Sequence, residues 1–221
     1  MTAPANPARQ AAGRRAAEYV QDGMRVGLGT GGTAEWLIRS LAERNLDIVC
    51  TATSKRSHEL GLSLGLRVVR PDELGSLDIA IDGADEIDPA FNLTKGGGGA
   101  HLREKIIAQM SARFLVIADG AKLVPALGPF GLPLEVLDFA PGVVAARVRA
   151  LGATELTTRQ ARSDNGNLLI DAQFGTIADP PALGRELEAI PGIVEHGIFP
   201  GTMVERAIIG QPDGTVHELV R

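Results

Sequence analysis

Between Lys95 and Lys105 the chain reads Lys-Gly-Gly-Gly-Gly-Ala-His-Leu-Arg-Glu-Lys, a run that holds the parts for moving a proton beside a carbonyl. Four consecutive glycines, Gly96 to Gly99, cost too much backbone entropy for a helix or strand interior, so they read as a loop that needs bare N–H groups. A helical stretch from Ala100 to Ser111 follows, and amides leading into a helix N-terminus suit an anion or oxyanion. Lys95 enters the loop and Glu104 falls in the helix's early turns, which adds a cation and a carboxylate. The plain alternative is a flexible linker before a surface helix whose Arg103, Glu104 and Lys105 are solvated.

Three further stretches could carry chemistry. Gly27-Leu-Gly29-Thr30-Gly31-Gly32-Thr33 follows an apolar strand and opens a helix, with glycines at dinucleotide-fingerprint spacing. The next strand, however, ends Thr51-Ala-Thr53-Ser54 without the acidic residue that would hold a ribose, so the turn suits a single phosphate better. Thr33 can equally be a plain helix cap there. Asp82-Gly83-Ala84-Asp85-Glu86-Ile87-Asp88 places several carboxylates in one turn, able to bind a metal, hold hydroxyls or shuttle protons. Its glycine is misplaced for a calcium loop. Ala118-Asp119-Gly120-Ala121-Lys122 brings a lysine to the end of another strand. His58, His101, His196 and His217 form no metal spacing, and His101 reads as a packing or hydrogen-bonding residue.

The elements that must position these groups alternate. Helical patterns at Gln10–Asp22, Thr33–Arg44 and Ser54–Leu64 are interleaved with strands at 25–29, Asp47–Thr53, Arg67–Arg70, Leu77–Ile81 and Arg113–Ala118. This order implies a mainly parallel sheet with ligands at the carboxyl ends of its strands. Glycines and prolines then cluster from Gly128 to Gly142 and mark a boundary near Gly128. Beyond it the pattern is strand (Leu134–Phe139), helix (Val143–Leu151), strand (Glu155–Ala161), strand (Leu168–Phe174), helix (Pro181–Ile190) and strand (Ile193–Phe199), with Asn165-Gly166 as a hairpin signal. That order suggests a ferredoxin-like α+β subdomain over 128–199, while a last hairpin, Arg206–Ile209 and Thr215–Val220, returns to the first domain, 1–127 with 200–221.

Of 221 residues 44% are hydrophobic and 22% charged, as in a globular chain, with disorder expected only at Met1–Arg9. A net charge of −5 and 4% aromatics argue against nucleic acid as a partner. No stretch reaches membrane-spanning length. The lone Cys50, in an apolar run, reads as a core residue in a cytoplasmic protein.

Five of these motifs, taken in order, resemble the type A ribose-5-phosphate isomerase family: Gly29–Thr33, Asp82–Ile87, Lys95–Gly98 with Arg103–Ile106, Ala118–Asp119 with Lys122, and Asp164-Asn-Gly-Asn167. The resemblance runs through nearly the whole chain. It implies a Rossmann-like mainly parallel sheet with helices on both faces plus the α+β subdomain, no cofactor and a homodimer or homotetramer. The reaction implied is interconversion of ribose 5-phosphate and ribulose 5-phosphate through an enediol, a step of the non-oxidative pentose phosphate pathway. Carried over by position, the base falls on Glu104, with Asp82 and Lys95 assisting. Substrate contacts fall on Thr30, Gly31, Gly32, Thr33, Asp82, Gly83, Ala84, Asp85, Lys95, Gly96, Gly97, Gly98 and Lys122. Gly32 replaces a serine of some members, and Arg9 or Gln10 a phosphate-facing lysine; Arg9 could supply that charge as a fork. Two other classes stay open: a sugar-phosphate sensor, which needs neither Glu104 nor Lys95, and an acyl-CoA transferase or related hydrolase, in which a carboxylate is the nucleophile.

The isomerase reading predicts activity without a metal, because Lys95 and backbone donors already serve the enediol oxygens. Exhaustive chelation should leave turnover of ribose 5-phosphate intact. A loss restored by a divalent cation would instead make Asp82, Asp85 and Glu86 candidate ligands.

Overall fold

The computed structural model describes residues 6–221. Residues 1–5, part of the stretch expected to be disordered, lie outside it, whereas Pro7 to Arg9 are already helical. That helix, α1 (Pro7–Ala17), both starts and ends earlier than the pattern Gln10–Asp22. The cause is local: the Asn6 side chain accepts from Arg9 N at 3.2 Å, and Pro7 sits in the first turn, where a missing N–H costs nothing.

The chain continues through β1 (Arg25–Leu28), α2 (Gly32–Glu43), β2 (Val49–Ala52), α3 (Lys55–Ser63), β3 (Arg67–Val68) and β4 (Ile79–Gly83). Two short strands, β5 (Glu86–Ile87) and β6 (Leu93–Thr94), precede α4 (His101–Met110) and β7 (Phe114–Asp119). Next come β8 (Leu132–Val136), α5 (Pro141–Ala150), β9 (Glu155–Thr158), β10 (Leu168–Gln173) and α6 (Pro180–Glu188). The last strands are β11 (Ile193–His196), β12 (Ile198–Phe199), β13 (Arg206–Gly210) and β14 (Val216–Val220). These elements form two compact units. The first contains the residues up to Gly83, Arg103–Lys122 and the chain from Met203; the second contains Ala84–Leu102 and Leu123–Thr202.

The first unit is a seven-stranded sheet in the order β14-β13-β7-β4-β1-β2-β3, parallel except for the edge pair β13–β14. Val26 and Leu28, Ile79 and Ile81, and Leu115 and Ile117 alternate onto one face, where they are buried with Ala12 and Ala16 of α1 and Leu37, Ile38 and Leu41 of α2. Gly27 faces the other way. A Cβ there would stand 2.5 Å from Ile107 Cγ2 of α4, so the missing side chain lets α4 lie close on the second face. This is the doubly covered parallel sheet that the alternation implies.

In the second unit β8 to β11 form an antiparallel sheet in the order β11-β8-β10-β9, the ferredoxin-like arrangement, with α5 and α6 buried against it through Val144, Val148 and Leu187. Two departures from the sequence pattern have physical reasons. The run Ile193–Phe199 is two strands, because Gly197 turns out of line, donating its N–H to Pro133 O and accepting from Lys95 N, each at 2.8 Å. Its second half, β12, joins β6 and β5 in a three-stranded sheet; strands of two residues carry no readable alternation. The Asn-Gly turn does join β9 to β10, but β9 stops at Thr158, short of Ala161. Its side chains serve a buried charge: Ser163 Oγ, Asn165 Nδ2 and Asn167 Nδ2 all donate to Glu135 Oε1 of β8, at 2.7, 3.0 and 2.8 Å. No described helix is long and apolar enough to cross a membrane.

A charged cluster ties α1 to the edge of the parallel sheet. Glu218 of β14 accepts from Tyr19 Oη and Arg15 Nε, both at 2.6 Å, and from Arg206 of β13, while the cations of Arg15, Arg113 and Arg206 lie 5.3–5.7 Å from the centre of the Tyr19 ring. Burial pushes the Glu218 carboxyl up, but its three donors outweigh burial and hold it below the usual 4.5. A carboxyl held below its unfolded value lends stability that is complete above that value and is lost as pH falls through the lower folded one. Glu218→Gln should therefore cost about 1–2 kcal/mol at neutral pH and flatten the fall in stability below pH 4.5. Urea unfolding at several pH values measures both, and an unchanged profile would remove the cluster from the stability of this edge.

Candidate active site

The carboxyl end of β1 is built around one carboxylate. Asp82, at the end of β4 and only 3% exposed, turns Oδ1 to accept from Thr30 N at 2.8 Å and Gly83 N at 2.7 Å. Gly29 makes this possible: a Cβ there would stand 2.2 Å from Asp82 Oδ1 and 2.5 Å from its Cα. The Thr30 hydroxyl looks back into the fold, within 2.7–3.3 Å of the hydroxyls of Thr53, Ser54 and Ser57, and Ser57 Oγ in turn donates to Gly29 O at 2.7 Å. Thr30 therefore shapes the turn. Gly31 and Gly32 are exposed and Thr33 half-buried, at the start of α2, where the first helical N–H groups have no intrahelical partner.

Arg9 flanks that helix start. A Cβ on Gly32 would lie 3.0 Å from Arg9 Nη1, and Arg9 Nε donates to Asp119 Oδ2 at 3.1 Å at the end of β7. Lys122 follows in the turn Gly120–Lys122 after the same strand. A helix N-terminus with exposed glycines thus has an arginine beside it, a pair fitted to an anion, and Lys122 follows the strand whose end Arg9 also bonds.

Glu104 lies in the first turn of α4 and is 4% exposed. It shares with Asp82 a small pocket whose other walls include Gly27, Gly29, Thr53 and Ile107. Glu104 and Lys105 are both buried, which overturns the solvated-surface alternative for this helix. Two buried carboxylates in one pocket at the carboxyl ends of β1 and β4 can take up and hand on protons out of contact with bulk water.

The remaining sequence-derived residues fall in the second unit. Lys95 is 2% exposed, with Nζ 5.4 Å from the centre of the Phe199 ring. Gly97 and Gly98 are exposed, but the Gly97 N–H donates to Asp85 Oδ2 at 2.7 Å and the Gly99 N–H to Gly96 O at 2.9 Å, so two of the loop's donors are already engaged. His101 is buried with Nε2 3.3 Å from Glu195 O, in keeping with a packing and hydrogen-bonding residue. The acidic run divides its labour. Asp85 goes to the glycine loop, Glu86 accepts from Thr94 Oγ1, Gly128 N and Phe130 N at 2.7–3.0 Å, and Asp88 caps the turn to Asn92. Arg159 is a contact the sequence reading missed. Its Nη1 donates to Gly96 O and Gly97 O at 2.9 and 3.1 Å, and a lone arginine 62 residues from the loop carries no local signal.

A family model described as "Ribose 5-phosphate isomerase A (phosphoriboisomerase A)" matches residues 49–214. The ribose-5-phosphate isomerase A of Parvibaculum lavamentivorans is 44% identical over 225 residues, covering 96% of this chain and 97% of the relative. That of Agrobacterium fabrum is 47% identical over 218 residues, covering 92% of this chain and 93% of the relative. Among solved structures, ribose 5-phosphate isomerase A from Methanocaldococcus jannaschii superposes with a TM-score of 0.89 at 37% identity, covering 96% of this chain and 98% of that one. A D-ribose-5-phosphate isomerase in complex with phospho-erythronic acid gives 0.92 at 34% identity, with 96% and 97% covered.

The close fit at Gly29 is testable by itself. Gly29→Ala must displace the Asp82 carboxylate or part β1 from β4, at a cost of about 1–3 kcal/mol. Urea unfolding should show it as a lowered midpoint at unchanged slope. A variant as stable as the parent would mean that Asp82 is not held by this turn.

Proposed function

The chain belongs to the ribose 5-phosphate isomerase A family and interconverts ribose 5-phosphate and ribulose 5-phosphate; we propose that Glu104 is its base. The observation that carries this reading is the burial of Glu104 in one pocket with Asp82, at the strand ends where a parallel sheet presents its ligands. Glu104 takes the proton from C2 of the open-chain aldose as negative charge develops on O1. O1 gains a proton and O2 releases one across the enediol. Return of the carbon-bound proton from Glu104 to C1 then gives the ketose. Asp82 carries a hydroxyl proton or assists ring opening. Its Oδ1, fixed by two N–H groups, keeps the carboxylate in place during the exchange.

Roles for the other residues follow from their chemistry. Lys95 and the glycine-loop N–H groups meet the developing oxyanion, and Asp85 holds hydroxyls or, through Gly97, the loop itself. The N-terminus of α2 from Gly31 to Thr33, with Arg9 and Lys122, takes the phosphate, whose binding energy positions the reacting carbons. Thr30 supports that turn through its hydroxyl cluster. A structural relative solved with phospho-erythronic acid, a phosphorylated sugar acid, supports a site with both a phosphate end and a polar end. The resemblance also supports a homodimer or homotetramer. Cys50, whose thiol burial pushes up to about 12, suits the reducing cytoplasm.

Glu104→Gln keeps the shape of the side chain and removes the basic carboxylate. Turnover of ribose 5-phosphate should fall by about a hundredfold or more, with substrate binding largely retained. In heavy water the parent should also wash deuterium into C1 of the product, because the acid form of Glu104 exchanges with solvent before it returns its proton. Near-parental turnover by the variant, followed by proton NMR, would move the base to another group, with Asp82 first in line.

A further inference from the structure

A run of four glycines has no side chains to orient its peptides; one bond inside the loop, from Gly99 N–H to Gly96 O at 2.9 Å, closes its turn, and the direction of its other donors depends on holds from outside. Arg159, just after β9, is placed to do so. Its Nε and Nη2 fork onto Asp171 of β10 at 2.8 and 2.6 Å, a pair whose side chains are 19% and 29% exposed. Asp171 itself is fixed in the antiparallel sheet, in register with Pro133 and Thr157. The remaining nitrogen, Nη1, reaches the carbonyls of Gly96 and Gly97 at 2.9 and 3.1 Å.

In a trans peptide the N–H points opposite to the C=O. The peptide joining Gly96 to Gly97 is therefore clasped from two sides, its carbonyl by Arg159 and its N–H by Asp85 Oδ2 at 2.7 Å. The next peptide gives its carbonyl to the same Nη1, which turns the Gly98 N–H away from Arg159. A side chain at Gly97 would displace these partners, since a Cβ would stand 2.7 Å from Asp85 Oδ1 and 2.9 Å from Phe130 Cζ.

We propose that Arg159 is a positioning residue for the isomerisation, fixing through the Gly96 and Gly97 carbonyls the direction of the loop's N–H groups and the seat of Asp85. This rests on the reading of the glycine loop as the oxyanion side of the site. Donors that need no reorientation during the reaction are worth most there. A lysine could replace the charge but not the planar fork that meets Asp171 and two carbonyls at once. The competing role is a staple for the β9–β10 hairpin, where Arg159 N also donates to Leu169 O at 2.8 Å.

The test is steady-state kinetics on ribose 5-phosphate, well below the melting temperature of each protein, for Arg159→Ala, Arg159→Lys and Arg162→Ala. Arg162 lies in the same connection, pairs with Asp138 at the surface, and serves as control. Arg159→Ala should lose about tenfold to a hundredfold in kcat, as expected for misdirected donors, and millimolar guanidinium should restore part of it. Arg159→Lys should stay impaired, and Arg162→Ala should match the parent. Parental kcat and KM for a folded Arg159→Ala, or a loss that guanidinium leaves unmoved, would reduce Arg159 to the hairpin staple. Should Arg159→Ala not fold, Asp171→Asn, which weakens the fork while keeping its shape, decides by the same kcat criterion. An unmodified protein that fails to turn over ribose 5-phosphate would sink the isomerase reading itself, whereas an active parent with unaffected variants sinks this inference alone.

Discussion

A buried carboxylate is costly unless donors meet its charge, and at the end of β4 that requirement dictates the local backbone. Asp82 Oδ1 is met by two main-chain N–H groups, one from the turn after β1 and one from its own successor. The turn can come so near only because residue 29 is glycine. Its shape is fixed in turn by the Thr30, Thr53, Ser54 and Ser57 hydroxyls, which reach into β2's end and the first turn of α3. The ends of three neighbouring strands, β4, β1 and β2, are thus linked through Asp82 and Thr30. On the second face, Gly27 removes the side chain that would keep α4 off the sheet, so that Glu104 can line the same pocket.

The acidic run from Asp82 to Asp88 reads in sequence as one cluster, and its members have separate duties. Glu86 is as buried as Asp82, yet its three donors come from a side chain and a loop of its own unit, which marks it as an internal tie. Asp88 organises a tight turn. What distinguishes Asp82 is its place at a strand end, in a pocket that holds a second carboxylate. Proximity in sequence made these residues look alike; the strand end and the partners separate them.

The sheet, its order of crossovers and the ferredoxin-like arrangement were legible, because strands of four or more residues and helices of nine or more carry a period that hydrophobic burial enforces. So was a glycine turn opening a helix after the first strand, since helix starts are local. Lost to the sequence were features set by distant partners. β12 pairs with a two-residue strand more than a hundred residues earlier. Glu135 looks like an exposed strand residue until Ser163, Asn165 and Asn167 close over it, and those same residues read as a plain hairpin signal. Thr30 offered a hydroxyl next to a helix start, which suggested a phosphate contact; only the neighbouring β2 end shows where that hydroxyl goes.

Each unit uses the same device where its backbone must hold still. At the end of β4 a carboxylate grips the N–H of a residue beside glycine, and in the loop after Lys95 another carboxylate grips the N–H of Gly97. A peptide group held by a charge cannot rotate without losing a charge-assisted hydrogen bond, worth about 1.5–3 kcal/mol, and that exceeds what glycine's own conformational freedom favours. The two cases differ in their second anchor. Asp82 sits on a strand of the parallel sheet and needs none, whereas the glycine loop has no strand beneath it and takes its second hold from Arg159, braced by Asp171 in the antiparallel sheet. Glycine therefore serves this chain in two opposite ways: it yields space so that a carboxylate can reach the backbone, and it yields direction to whichever charged groups then grip it.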